Sequence, residues 1–161
     1  MHSLIKRFNM ATLNTDSRNL ANVKEYFVRL DAGRADMLDL FADDFQFYFP
    51  KFGVGKGKAE LAELANGLGA TVNSVSHDLN AMKFFEGPNF VVAEGLTQGV
   101  HNDGTAWQGG KTPGGRFCNV FEFGDNGLIQ RLHIYLDPDY AGHDADRFLW
   151  GKTRSGETRS W

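Results

Sequence analysis

Residues 25–50 have the sequence EYFVRLDAGRADMLDLFADDFQFYFP, which passes from helical to strand periodicity within one short segment. In and just before this segment, the apolar residues that repeat at helical spacing are Leu20, Val23, Phe27 and Leu30. They predict an amphipathic first helix, which Ser17 or Asp16 can cap and Gly33 can end.

A shorter helix is predicted next, through Met37 and Phe41. In the segment that follows, DDFQFYFP at residues 43–50, phenylalanine occupies alternate positions. This alternation predicts a strand, and Pro50 closes it. A third helix is predicted at about residues 58–68, because leucine and alanine gather on one side of that segment.

From Val72 onward the sequence is typical of strands separated by turns. The predicted hairpin turns are Gly87-Pro88-Asn89, Asn102-Asp103-Gly104 and Asp125-Asn126-Gly127. Residues 109–115, GGKTPGG, are predicted to form a flexible loop. Helices followed by antiparallel strands predict an α+β fold, a cone-shaped, strongly curved antiparallel sheet covered by N-terminal helices. Such a cone leaves an apolar cavity between sheet and helices.

We expect one domain at residues 17–140, a flexible lead-in at residues 1–16 and a polar tail at residues 141–161. The tail contains one short amphipathic patch, Arg147, Phe148, Leu149 and Trp150. The chain of 161 residues is long enough for a real core, and its 14 phenylalanines suit a large apolar interior.

Composition limits the possible partners. The formal net charge of −3 gives no electrostatic basis for binding nucleic acid or an anionic membrane surface. No apolar run approaches membrane-spanning length, and the first residues have too short an apolar segment for a signal peptide. The single cysteine, Cys118, excludes an internal disulfide and is compatible with a reducing cytoplasm, where we expect the protein. The sequence has no HxH, HExxH or paired-cysteine spacing, so we expect no metal site.

Strand alternation predicts which polar side chains face the cavity. In VSHDLNAM, His77 shares its face with Val75 and Leu79, which places the imidazole inside. In RFCNVFEF, the residues that share one face are Phe117, Asn119, Phe121 and Phe123. His101 falls on a face of small residues beside a turn, and Tyr48 is the polar member of an aromatic strand, whose phenol needs a partner if buried.

Asp31 lies one helical turn after Phe27, at the edge of the apolar stripe of the first helix, with Tyr26 beside that stripe. From there the carboxylate can meet His77 and fix the tautomer of its ring, as in many acid/base sites.

Each of these residues also has a purely structural interpretation. His77 can be a hydrogen-bonded core histidine, Asp31 can organise the turn between helices, and Tyr26 can be a core tyrosine. Asn119 can tie strand to strand and Tyr48 can anchor a helix. For His101 a surface position at the turn is the favoured alternative.

The segments EYFVRLDAGRADMLDLFADDFQFYFPKFGVGKGKAEL, VSHDLNAM and FEFGDNGLIQRLHIYLDPD together resemble the nuclear-transport-factor-2-like superfamily. Within it the chain is similar to the SnoaL-like and ketosteroid-isomerase-like proteins over about residues 20–140. The resemblance implies the cone-shaped fold and a homodimer. It is compatible with isomerases, cyclases, dehydratases and non-enzymes, because one scaffold carries many functions.

The branches of the superfamily differ in their site residues. Tyr26 of this chain matches the oxyanion-hole tyrosine of the ketosteroid isomerases, but Phe49 stands where those enzymes have their aspartate base. The SnoaL-type polyketide cyclases use an aspartate in the last strand, and this chain has Ile134 at that position, with His133 beside it. Neither mechanism carries over unchanged.

The dehydratase branch, with scytalone dehydratase and bile-acid dehydratase, matches better. Its members pair an aspartate near the end of the first helix with a histidine on the first long strand, as Asp31 and His77 are placed here. Tyr26 matches the tyrosine of bile-acid dehydratase, whereas His101 and Asn119 resemble the second histidine and the asparagine of scytalone dehydratase.

The sequence therefore predicts a cofactor-free lyase (dehydratase) or isomerase for a small, apolar substrate, such as a cyclic or aromatic compound. His77, Asp31 and Tyr26 are the expected catalytic residues. The expected substrate-binding residues are Tyr48, Asn119, His101, Phe117 and Phe121. Two alternatives stay open: a non-catalytic ligand-binding or dimerisation module of the same fold, and a polyketide cyclase in which His133 acts.

Overall fold

The structure is a computed structural model, and it describes residues 17–144. Its elements, in chain order, are helix α1 (Arg18–Asp31), a 3-10 helix (Ala35–Leu40), β1 (Phe41–Phe49), β2 (Gly53–Lys56), α2 (Gly57–Gly69), β3 (Val72–His77), β4 (Lys83–Glu86), β5 (Phe90–His101), β6 (Ala106–Gln108), β7 (Arg116–Phe123) and β8 (Ile129–Leu136). The predicted lead-in and the amphipathic patch of the tail lie outside these residues.

The strands form one curved, unclosed sheet in the order β2-β1-β8-β7-β5-β3, with β4 and β6 also paired to β5. The N-terminal helices cover one face, which confirms the predicted α+β cone. One detail differs from the prediction, because β1 and β8 pair in parallel while the other pairs are antiparallel. Parallel neighbours require a long connection, and here the whole of the intervening chain supplies it.

Helix α1 has the predicted cap and the predicted buried stripe. The Ser17 hydroxyl accepts a hydrogen bond from the Leu20 amide at 3.1 Å, which satisfies one of the free donors of the first turn. The buried residues of the helix are Val23, Tyr26 and Phe27. The helix ends at Asp31, and Gly33 follows with a φ of 63°, the left-handed conformation that glycine adopts at low cost.

The core lies between the helices and the inner face of the sheet. Phe45 and Phe47 of β1 are fully buried, as are Phe27 of α1 and Phe121 of β7. Burial of one such side chain stabilises the fold by about 1.5–3 kcal/mol. The alternating phenylalanines of the sequence therefore supply much of the interior.

Two element boundaries differ from the predictions. Phe41 belongs to β1, where it pairs with Ile129, and not to the short helix before it. Strand β3 ends at His77, so the predicted continuation through Leu79 is wrong. The reason is local: the Asp78 side chain accepts a hydrogen bond from the Ala81 amide at 3.3 Å and turns the chain.

The third helix and the three hairpin turns occur where they were predicted, and residues 109–115 form the connection between β6 and β7. No helix within residues 17–144 is both long and apolar enough to cross a membrane.

Candidate active site

A cavity of about 190 Å³ lies between the helices and the inner face of the sheet. Its walls are mainly apolar, with side chains such as Leu30, Phe45, Phe47, Leu61, Phe117 and Ile134. The polar side chains that line it are Tyr26, His77, Thr97, Asn119 and Tyr140. An apolar protein cavity of about 150 Å³ is known to accept benzene. The cavity is therefore large enough for a single ring.

Asp31 and His77 meet at the wall of this cavity. One carboxylate oxygen of Asp31 lies 2.5 Å from Nδ1 of His77, and the other accepts a hydrogen bond from the His77 backbone amide at 2.8 Å. Because a carboxylate only accepts, Nδ1 carries the proton in the neutral ring and Nε2 has the free lone pair. The unprotonated Nε2 atom can therefore accept a proton or a hydrogen bond, while Asp31 holds the orientation of the ring.

The surroundings hold both partners in place. Arg29 donates to the Glu25 carboxylate at 2.7 Å and to the Asp36 carbonyl at 2.8 Å, which ties the end of α1 to the 3-10 helix beside Asp31. The His77 ring packs against the rings of Phe27 and Phe117, at centroid distances of 5.0 and 5.1 Å. These two aromatic contacts and the bond to Asp31 restrict the rotation of the ring.

Tyr26 contributes a phenol to the cavity. Its side chain is buried in the core, and the rings of Phe27, Phe41 and Phe121 surround it. Burial raises the pKa of Tyr26, and the negative charge of Asp31 raises it further. The phenol therefore keeps its proton at neutral pH and remains a hydrogen-bond donor.

Asn119 also faces the cavity, from the middle of β7. It is only 3% exposed, and its Oδ1 atom is buried with no hydrogen-bond partner among the described residues. An amide left unpaired in an apolar interior costs about 1–3 kcal/mol. A ligand that carries a hydrogen-bond donor can supply the missing partner of Oδ1.

The sequence did not single out Thr97 and Tyr140 as site residues. Thr97 follows the inner-face alternation of β5, and its hydroxyl accepts a hydrogen bond from the Trp107 indole at 3.1 Å. The alternation of residues along β5 could therefore have identified Thr97 from the sequence. Tyr140 follows β8 outside any strand and stacks on Trp107 at 4.7 Å, so no sequence period indicates its position.

Some predicted substrate-binding residues lie elsewhere. Tyr48 does not line the cavity: it faces the opposite side of the sheet, with His133 at 5.8 Å and Tyr135 at 5.6 Å between ring centroids. Its neighbours in β1, the inward phenylalanines, take the cavity face, and strand alternation then turns Tyr48 outward. His133 is excluded from the cavity in the same way.

Phe121 and His101 are also displaced from the predicted site. Phe121 is fully buried behind Tyr26, at 5.2 Å between ring centroids, and does not line the cavity, whereas Phe117 does. His101 has the predicted inner face but lies near the end of β5, where it lines a neighbouring pocket.

Within residues 17–144, no group of three or more histidine, cysteine, aspartate or glutamate side chains is placed to hold a metal ion. Cys118 lies in β7 beside Asn119. Burial raises the pKa of its thiol, and the charge of Glu94 adds to the effect, which disfavours the thiolate.

The curved sheet, the helices on one face and the cavity between them define a protein of the NTF2-like fold. The chain belongs to the SnoaL-like family, since the model of the SnoaL-like domain matches residues 23–132. No curated protein sequence matches the chain.

Several solved structures share the fold. An NTF2-like protein of unknown function from Burkholderia pseudomallei K96243 is 17% identical with a TM-score of 0.66, over 76% of this chain and 92% of that chain. A putative polyketide cyclase from Xanthomonas campestris pv. campestris is 20% identical with a TM-score of 0.63, over 74% and 90%. TerC, co-crystallised with polyporic acid, is 17% identical with a TM-score of 0.65, over 75% and 92%. These likenesses concern the fold.

Proposed function

We propose that the protein is a cofactor-free enzyme that uses His77 as a general acid/base on a small, mainly apolar substrate. The observation that carries the proposal is the pair of hydrogen bonds that the Asp31 carboxylate accepts from His77, because they place the ring proton on Nδ1 and leave Nε2 of a cavity-lining ring for the substrate. A positioned base of this kind accelerates proton transfer by about 10²–10⁴-fold.

The reaction begins with removal of a proton from the carbon next to a carbonyl. Nε2 of His77 takes that proton, and the electron pair of the broken C–H bond forms an enolate. Tyr26, through its hydroxyl, and Asn119, through the NH₂ group of its amide, donate hydrogen bonds to the enolate oxygen, whose negative charge an apolar cavity otherwise disfavours.

A β-hydroxyl group on the substrate makes the reaction a dehydration. The enolate re-forms the carbonyl, a carbon–carbon double bond forms, and the C–O bond to the hydroxyl breaks. The departing hydroxide takes the proton back from the imidazolium of His77 and leaves as water. The resemblance of the Asp31–His77 pair to the dehydratases supports this order of steps, and the cavity of about 190 Å³ supports a substrate with one ring.

Proton abstraction can be tested before the substrate is known. The protein is incubated with cyclohexanone in D₂O, and exchange at the carbons beside the carbonyl is followed by NMR. Dehydration of 3-hydroxycyclohexanone to the enone is measured in parallel. The wild-type protein should catalyse both, and His77→Gln and Asp31→Asn should each lower the rates by about 10²-fold or more.

His133→Gln is the matched control, because it changes a histidine on the opposite face of the sheet and should leave both rates unchanged. Equal rates for the wild type and both site variants would reject the proposal.

A second candidate is a polyketide-cyclase-like reaction, favoured by solved structures of the same fold that are described as putative polyketide cyclases. An intramolecular aldol reaction starts with the same proton abstraction, so His77 would be the base in place of His133. Cyclisation of 2,6-heptanedione distinguishes the two. Turnover of the diketone without dehydration of 3-hydroxycyclohexanone favours the cyclase.

We also propose a homodimer formed through the outer sheet face, where Tyr135 and Phe85 are about half exposed. Large apolar side chains exposed together favour association. Sedimentation that shows only a monomer would reject the dimer. Absence of both catalysis and ligand binding would favour a non-catalytic dimerisation module.

A further inference from the structure

A second, larger pocket of about 770 Å³ adjoins the inner cavity. The side chains that line both spaces are Phe49, Leu64, Leu68 and Tyr140. These shared side chains form a partition between the inner cavity and the second pocket. We call the second pocket the outer pocket. A substrate that enters the inner cavity from the outer pocket must pass this partition.

Tyr140 is the polar member of the partition and is held firmly. Its ring stacks on Trp107 at 4.7 Å with an interplanar angle of 17°. Gly114 lets its backbone approach, since a Cβ atom at that position would lie 2.6 Å from the Tyr140 Cα. Asp139 stabilises the next turn by accepting hydrogen bonds from the amides of His143 and Asp144, at 2.9 and 3.0 Å. These contacts therefore fix the position of Tyr140 in the partition.

His101 lines the outer pocket, and one of its two ring nitrogens is unpaired within residues 17–144. Its Nδ1 atom lies 3.3 Å from the carbonyl oxygen of Thr71, which can only accept, so Nδ1 carries the proton of the neutral ring. Nε2 is buried and has no hydrogen-bond partner among the described residues. That atom has a free lone pair, and its missing partner is therefore a hydrogen-bond donor.

The charges around the outer pocket favour the same kind of partner. The charged side chains that line it are Lys51, Glu63, Asp103, Asp139 and Asp144, besides the histidines His101 and His143. Carboxylates outnumber the single lysine, so the electrostatic potential there favours donors and cations over anions. Asp103 stays ionised, because the hydrogen bond from the Thr105 amide lowers the pKa of its carboxyl.

We propose that the outer pocket is a second binding subsite, in which His101 accepts a hydrogen bond from a hydroxyl or ammonium group of the substrate. This deepens the proposed function by naming the substrate class. The substrate has an apolar ring for the inner cavity and a chain that ends in a hydrogen-bond donor for the outer pocket. His101 is a binding residue in this arrangement, whereas His77 performs the proton transfer.

Binding of simple phenylalkyl compounds tests the subsite without any turnover. Phenylalkanols of increasing chain length are compared with their methyl ethers, and phenylalkylamines with the corresponding carboxylates, by titration calorimetry. The indole N–H signal of Trp107, assigned with Trp107→Phe, reports binding beside the partition. At the best chain length, the alcohol and the amine should bind about three- to tenfold more tightly than the ether and the carboxylate.

His101→Phe should remove this preference, because it keeps a ring against Trp107 but has no acceptor. The matched control is His133→Phe, since Nε2 of His133 is also buried without a partner but lies on the opposite face of the sheet. The inference is overturned if the ether binds as tightly as the alcohol, or if both phenylalanine variants lose the preference equally. If His101→Phe does not fold, the comparison of alcohol and ether in the wild type decides alone.

The same titrations with His77→Gln separate this inference from the proposed function. A preference for donors that persists in His77→Gln, together with wild-type protein that exchanges no protons, supports the subsite and rejects the catalytic role. Proton exchange by the wild type with no donor preference supports catalysis and rejects the subsite.

Discussion

The carboxylate of Asp31 binds His77 at two points, the ring Nδ1 and the backbone amide, across 46 residues of sequence. Asp31 is the last residue of α1 and His77 is the last residue of β3. The contact therefore fixes the end of the helix against the end of the strand while it orients the ring. Structural and chemical roles coincide in one carboxylate, so experiments must measure stability and proton transfer separately.

Asp31→Asn should lower stability and displace the proton of His77. Hydrogen bonds to a charged group contribute about 1.5–3 kcal/mol each, and the amide retains part of them, so we expect a loss of about 1–3 kcal/mol in the free energy of unfolding. Urea denaturation measures that loss, and ¹⁵N NMR of the ring nitrogens reports the tautomer. Asp36→Asn, at an ion pair with Arg34 on the surface, is the control and should leave the free energy of unfolding nearly unchanged, because solvent screens an exposed pair. A wild-type spectrum with the proton on Nε2 would contradict the assignment of Nδ1 as the protonated nitrogen, and an unchanged tautomer in Asp31→Asn would show that the carboxylate does not determine it.

Asn119→Leu should lower activity without lowering stability. Because Oδ1 of Asn119 is buried without a partner among residues 17–144, an apolar side chain of similar size should leave the free energy of unfolding unchanged or raise it. Proton exchange on cyclohexanone should fall, since one donor to the enolate oxygen is lost. Thermal unfolding and the exchange rate are the two measurements. A loss of more than about 2 kcal/mol in stability would show that Asn119 is a structural tie between strands.

Phe45→Ala should be strongly destabilising. Phe45 is fully buried between β1 and the helices, and truncation of such a phenylalanine costs about 3–5 kcal/mol through lost burial and the cavity left behind. Val54→Ala is the control on β2, where the side chain is 57% exposed, and should cost less than about 1 kcal/mol. Chemical denaturation of both variants tests the comparison. Similar losses of stability in the two variants would contradict the position of Phe45 in the core.

Stability should fall as the pH rises above about 10, in part because of Tyr26. Burial and the charge of Asp31 raise the pKa of this phenol in the folded protein, whereas an unfolded tyrosine ionises near pH 10. Above that pH the unfolded state binds fewer protons than the folded state, so rising pH favours unfolding. Burial also raises the pKa of Tyr140, to about 12.

Ultraviolet titration of the phenolate absorbance, with Tyr26→Phe and Tyr140→Phe to assign the late steps, measures both groups. In Asp31→Asn the Tyr26 step should move to lower pH, because one of its two causes has been removed. A Tyr26 step that stays in place would show that the carboxylate does not act on the phenol.

The sequence was informative wherever local periodicity and burial point to the same face. The stripe of α1 and the alternating phenylalanines of β1 placed Phe27, Phe45 and Phe47 inside, and the structure confirms all three. The turn residues likewise placed the hairpins. The expectation for Tyr48 did not follow this rule: it was predicted to bind substrate as the polar member of an aromatic strand, although alternation with buried neighbours turns it outward.

The candidate site was predictable only in part. The meeting of Asp31 with His77 was expected from the helix stripe and the strand alternation, and the family resemblance pointed to the same pair, but a structural histidine stayed equally open. Tyr140 had no signal in the sequence, because its position depends on stacking against Trp107 and on the close approach to Gly114.

The sequence by itself determined the helices, the hairpins and the inner face of the sheet, because these depend on side-chain periodicity and turn chemistry over a few residues. Only the tertiary structure decided the parallel pairing of β1 with β8, the separation of the inner cavity from the outer pocket and the assignment of His101 to the latter. Those features depend on where a curved sheet brings distant segments together, and the distance between such segments is not encoded in any local pattern.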